Sequence, residues 1–95
     1  MAVEVLEHQS GIIRILLYLL DHGQAFQMEL ADAGGMYDRI VTVCLAKLET
    51  LGLVRRWTDE NAWTPKKMSA LTVKGIKVAE KLKEIDAILS SGRIT

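Results

Sequence analysis

From residue 11 the chain reads GIIRILLYLLDHG, with Ile12, Ile13, Leu16, Leu17 and Leu20 recurring at helical spacing. Ser10 is placed to cap this first helix and Gly23 to close it. A second, short helix is expected over residues 26–33, with Leu30 and Ala31 facing inward, broken by Gly34-Gly35. The third spans residues 38–51, where Val41, Cys44, Leu45, Leu48 and Leu51 form a buried stripe. Gly52 supplies the left-handed residue that ends it. The pattern then changes. Residues 53–58 are apolar and β-prone, Asp59-Glu60-Asn61 signals a turn, and residues 67–71 can return antiparallel. Pro65 keeps the tip around residues 63–66 from regular pairing. Thr72 is placed to cap a last helix, 76–90, with Val78, Leu82, Ile85 and Leu89 on one face and Ala79 and Ile88 at its edges. The expected order is α-α-α-β-β-α: a mainly α domain with a small β-hairpin, one unit over residues 1–95 in which residues 1–9 form an N-terminal extension.

Composition sharpens this only locally. The chain has 95 residues, half of them apolar and a quarter charged, a globular composition. The run at 15–20 is too short to span a membrane, and MAVEVLEHQS lacks the basic and apolar regions of a signal peptide. A single cysteine, Cys44, permits no internal disulfide and fits a reducing cytoplasm. Net charge is zero but unevenly spread. Residues 36–77 hold eight basic residues against four acidic ones, and the remainder holds four against eight. Such asymmetry can mark a nucleic-acid-facing half.

Two short helices meeting at a Gly-containing turn, Ala33-Gly34-Gly35-Met36 with Met36 tucked inward, make a helix-turn-helix. The second helix of that motif lies in the DNA major groove, and a basic hairpin beside it reaches phosphates. LAKLETLGLVRR at 45–56 and LTVKGIKVAEKL at 71–82 resemble, at this separation, the winged helix-turn-helix domain of MarR-like and ArsR-like transcriptional regulators. The resemblance covers residues 10–89. It implies a regulator that binds double-stranded DNA with helix 38–51 in the groove and wing 53–71 on the backbone. The DNA-facing positions it implies are Tyr37, Asp38, Arg39, Thr42, Val43 and Lys47. Arg39 suits guanine and Thr42 offers a hydroxyl and a methyl, while Lys47 suits phosphate. Family members often carry Ser or Thr where this chain has Tyr37, Asp38, Arg39 and Ile40. An acidic Asp38 must then cap the helix or accept from a cytosine amino group. Lys66 and Lys67 flank the wing tip and are its best phosphate candidates.

Several residues carry two readings. Arg55 and Arg56 are strand neighbours on opposite faces, each open to phosphate contact or to solvated charge, with one free to pair with an acid of the domain. Trp57 and Trp63 are either cross-strand packing or a stacking platform. Cys44 lies on the apolar stripe and reads as a core thiol, not as a sensor. His8 and His22 lack the clustered spacing of a metal site. No nucleophile–base pair, carboxylate pair or phosphate loop is present, so no catalytic residue, enzyme activity or cofactor is expected. The alternative to DNA binding is a winged-helix module that holds protein within a larger complex. The stripe continuing through Ile85, Ile88 and Leu89, with Val3, Val5 and Leu6, points to a homodimer unless residues 1–6 fold back over it.

Overall fold

The computed structural model describes residues 10–61 and 63–91; expectations placed on a Ser10 cap and on residues 1–9 lie outside its described residues and side chains. The elements are α1 (Ser10–His22), β1 (Gln24–Phe26), α2 (Gln27–Gly34), α3 (Asp38–Thr50), β2 (Val54–Asp59), β3 (Lys66–Leu71) and α4 (Val73–Ser91). The three strands form one antiparallel sheet in the order β1-β3-β2. Helices, hairpin and last helix therefore follow the winged-helix order, with one addition.

That addition is β1. Gln24, Ala25 and Phe26 pair with Ala70, Ser69 and Met68. Three residues are too few to display an alternating pattern, so the strand has no signature of its own. It shifts the second helix by a residue: α2 starts at Gln27 and runs through Gly34, and the Glu29 carboxylate accepts the Phe26 N–H at 3.0 Å. The last helix starts earlier than expected, at Val73, because the Thr72 hydroxyl accepts the Gly75 N–H at 3.0 Å and caps it.

The stripe of α1 is also rotated from the expected one. Ile12, Ile15, Leu16 and Leu19 are buried, whereas Ile13, Leu17 and Leu20 are half-buried. The helix is apolar nearly all round, so spacing alone does not select a face. On α3 the expected stripe of Val41, Cys44, Leu45 and Leu48 is buried and Leu51 packs beside it. Leu30, Leu53, Val54, Leu71 and Ala79 complete the core. Each fully buried aliphatic side chain contributes about 1.5–3 kcal/mol relative to exposure.

Two turns set the angle of α3. Gly35 adopts φ 62°, its N–H donating to the Asp32 carbonyl and the Met36 N–H to the Ala31 carbonyl, which ends α2. Met36 then packs inward beside Gly11 and Gly34, where any larger residue would meet it. Past α3, Gly52 at φ 76° reverses the chain into the wing. Arg14 reaches across from α1 to donate to the Gly34 carbonyl at 2.8 Å, fixing the turn against the core.

Candidate nucleic-acid interface

The face of α3 opposite its buried stripe is open. Tyr37 precedes the helix and is 84% exposed, Arg39 and Thr42 are exposed, Val43 is 39% exposed and Lys47 half-buried. The helix-turn-helix thus leaves Arg39, Thr42 and Val43 of its second helix exposed to solvent, as groove insertion requires.

The start of α3 is organised by a residue outside it. Gln27, the first residue of α2, donates through Nε2 to the Asp38 carboxylate at 2.9 Å and to the Thr42 hydroxyl at 2.7 Å. Thr42 Oγ1 in turn donates to the Asp38 carbonyl at 3.1 Å. Asp38 is therefore not the cap of α3; it is held in an exposed polar cluster. Gln27 carries no sequence signal for this role, since its partners lie 11 and 15 residues away across the turn.

The wing places its cations on two faces. Direct cross-strand partners point the same way, so Arg55 and Trp57 share a face with Met68 and Phe26, and Arg56 and Thr58 share the other with Ser69 and Lys67. On the first face the Arg55 guanidinium lies 4.6 Å from the Trp57 ring centre and the Lys66 ammonium 4.3 Å from the Phe26 ring centre. On the second, Arg56 reaches back to α3 and forms an ion pair with Glu49 at 2.8 Å, its Nε donating to the same oxygen at 3.2 Å. Gln27, Glu49, Arg56, Thr58 and Lys67 line an open cleft of about 350 Å³ between helix and wing. Trp57 is half-buried opposite Met68, the packing position, whereas Trp63 at the tip is fully exposed. Beyond the strand, the Asn61 N–H donates to Asp59 and closes the first part of the turn.

Cys44 is buried among aliphatic side chains, and that burial pushes its thiol above its ordinary value, partly opposed by the Lys47 charge. A protonated thiol is a poor nucleophile and a poor ligand. Among the described residues no group of His, Cys, Asp or Glu is arranged to hold a metal ion. No described helix is long and apolar enough to cross a membrane.

No family model matches the chain, and no curated protein does. Solved structures do. MepR, a transcription regulator of the Staphylococcus aureus multidrug efflux pump MepA, matches at 26% identity and a TM-score of 0.75, covering 86% of this chain and 60% of MepR. A MepR variant bound to an oligodeoxyribonucleotide matches at 25% identity and 0.74, covering 99% and 73%. A MarR family transcriptional regulator from Silicibacter pomeroyi shares the fold at 24% identity and 0.71, covering 86% and 59%. The chain thus has the winged helix-turn-helix architecture of MarR-family regulators, and it spans between about three fifths and three quarters of the length of those proteins.

Proposed function

We propose that this chain is a DNA-binding transcriptional regulator, one winged-helix unit that sets α3 in the major groove and wing 54–71 on the flanking backbone. The open face of α3, with Arg39, Thr42 and Val43 exposed beside a basic wing, is the observation that carries this reading. The likeness to a relative with bound oligodeoxyribonucleotide supports it. In this reading Tyr37, Arg39, Thr42 and Val43 face base edges. Lys47, Arg55, Arg56, Trp63, Lys66 and Lys67 meet sugar and phosphate. The protein acts by binding, without catalysis.

The test is a titration against random duplex at low and moderate salt. Affinity must fall steeply as salt rises, because neutralised phosphates release counterions. A salt-insensitive or absent interaction overturns the reading and favours the protein-binding module, which the zero net charge and the Arg56–Glu49 pair would suit.

The same reading makes the chain a homodimer through α4. Val78, Ala79 and Leu82 pack on the domain core, and Lys83 pairs with Asp21 at 3.2 Å. From there every described side chain through Ser90 is exposed, including Ile85 and Leu89. Apolar surface of this kind marks an interface, and a two-fold pair would space two α3 helices for a palindromic site. Sedimentation equilibrium at micromolar concentration should give a dimer mass that reverts to monomer in a folded Ile85→Glu, Leu89→Glu variant. A wild-type monomer overturns the dimer and leaves half-site binding.

A further inference from the structure

The Gln27–Asp38–Thr42 cluster lies at the end of α3 from which a helix-turn-helix reads bases, and its hydrogen bonds leave it with a definite polarity. A carboxylate only accepts, so the Gln27 amide presents its nitrogen to Asp38, and both N–H groups are used, one on Asp38 and one on Thr42. The carbonyl oxygen Oε1 of Gln27 is the end left over. The Thr42 hydroxyl spends its one proton on the Asp38 carbonyl and accepts from Gln27, so what it retains for a ligand is chiefly its methyl group. Asp38 keeps further lone pairs. The start of α3 therefore offers two acceptors and a methyl, flanked by the donor-only guanidinium of Arg39.

We infer that Gln27 is a specificity-determining residue that acts from outside the recognition helix. It fixes Asp38 and Thr42 so that the reading end selects an exocyclic amino group and a neighbouring thymine methyl in the major groove. The amino group is that of cytosine N4 or adenine N6, the two major-groove donors. Gln27 is a positioning residue for Asp38 and Thr42 and adds its own Oε1 as an acceptor. This inference rests on the DNA-binding reading above. It also accounts for an acidic side chain at the start of a helix expected to approach phosphates. A carboxylate held by one N–H of the Gln27 amide is aimed at a base donor, where its charge is useful.

The experiment is selection from randomised duplexes with wild-type protein, Gln27→Ala, Asp38→Asn and Thr42→Ser. These side chains are exposed or half-buried, and circular dichroism checks that each variant is folded. The wild type is expected to select an amino-bearing base beside a thymine, the recovered sequences deciding between cytosine and adenine. Gln27→Ala should weaken that preference by about fivefold or more, the lower end of the effect of one mismatched pair. Its affinity for random duplex and its salt dependence should not change. Asp38→Asn should relax the amino-base position alone. Replacing the selected thymine by deoxyuridine should weaken wild-type binding and leave Thr42→Ser, which keeps the hydroxyl and lacks the methyl, no weaker than it already is. Unchanged preferences in Gln27→Ala overturn the inference. So does an equal loss on selected and random duplex, which would make Gln27 a backbone contact. Salt-dependent duplex binding with no base preference in the wild type overturns the inference and leaves the DNA-binding reading standing. No salt-dependent binding at all overturns both.

Discussion

At its C-terminal end α3 runs into Gly52, and the backbone carbonyls of Leu51, Gly52 and Leu53 are bonded across to the start of α4. The Thr72 hydroxyl donates to the Gly52 carbonyl at 2.6 Å, the Thr72 N–H to the Leu53 carbonyl at 3.0 Å and the Lys74 ammonium to the Leu51 carbonyl at 3.0 Å. Gly75 lies so close that a side chain there would strike the Leu53 backbone. At its N-terminal end, by contrast, α3 is tied to α2 by exposed side chains: Gln27, Asp38 and Thr42. One end is built into the root of the wing by contacts that tolerate no change of shape. The other is held by polar groups whose exchange costs the fold little. Under the proposed function, that division would let the reading surface change with little cost to the architecture.

Replacing a residue at each end should therefore give unlike results. A Cβ at position 75 would lie within bonding range of the Leu53 carbonyl oxygen and 2.8 Å from its carbon. Neither is the end of a flexible side chain, so α4 and the backbone leading into β2 must separate. Gly75→Ala should cost about 3 kcal/mol or more, beyond the usual overpacking penalty, read as a fall in the urea midpoint. Gln27→Ala, at the other end, should stay within about 1 kcal/mol of wild type. A Gly75→Ala loss as small as that of Gln27→Ala would erase the contrast.

Binding should show the reverse asymmetry. The Arg39 side chain is exposed and makes no hydrogen bond or ion pair among the described residues, so Arg39→Ala should move stability by no more than about 0.5 kcal/mol. On a selected site the same change should cost about 1–3 kcal/mol of affinity, and less on random duplex. Equal losses on both would assign Arg39 to the backbone. No loss on either would remove it from the interface.

The two ends also differ in how legible they are in the sequence. The stripe Val41, Cys44, Leu45, Leu48, the stop at Gly52 and the cap at Thr72 follow from local rules, because each concerns residues within a turn or two of one another. The hairpin follows from the change of period after Leu53. β1 does not, since Gln24-Ala25-Phe26 becomes a strand only where β3 offers it an edge. The face of α1 that is buried does not either, because Ile13 and Leu17 are as apolar as Ile15 and Leu19. The N-terminal end of α3, the reading end in the proposed function, is legible in part. Arg39 and Thr42 stand out by chemistry and position off the stripe. Gln27 does not, because the turn at Gly35 brings it to Asp38 and nothing local announces that. That one of Arg55 and Arg56 can pair with an acid is readable from their strand positions, but that it is Arg56, and that its partner is Glu49 on the other element, is not.

Between the ends, the wing tip tests whether a cation's local partner limits its use on DNA. Lys66 sits over the Phe26 ring, whereas Lys67, on the opposite face, lines the cleft toward α3. Each lysine that meets a phosphate should flatten the plot of log affinity against log salt by about 0.9 when changed to Ala. Lys67→Ala is expected to show that full change. Lys66→Ala is expected to show a smaller one, together with about 0.5–1 kcal/mol of lost stability from its ring contact. Unchanged slopes in both variants would mean that the tip does not touch DNA.

The smallest effect is expected where the two regions meet, at the Arg56–Glu49 pair. Both side chains are well exposed, 34% and 46%, so water and salt screen their attraction. Glu49→Gln keeps an oxygen that accepts from the Arg56 guanidinium and removes only the charge. Its stability cost should therefore lie between about 0 and 1 kcal/mol. Its effect on DNA binding has the opposite sign. In the wild type the Glu49 charge offsets that of Arg56 and lies at the cleft, where it opposes an approaching phosphate. Without it, Arg56 is a full cation available to the backbone, and the salt slope should steepen by as much as about 0.9 while affinity for random duplex rises. Base preference should not change, because neither residue belongs to the start of α3. A slope that stays the same would show that this face of the wing remains out of reach of the backbone. A changed base preference would show that the two ends of α3 are coupled through the helix, and would break the division between scaffold and reading surface.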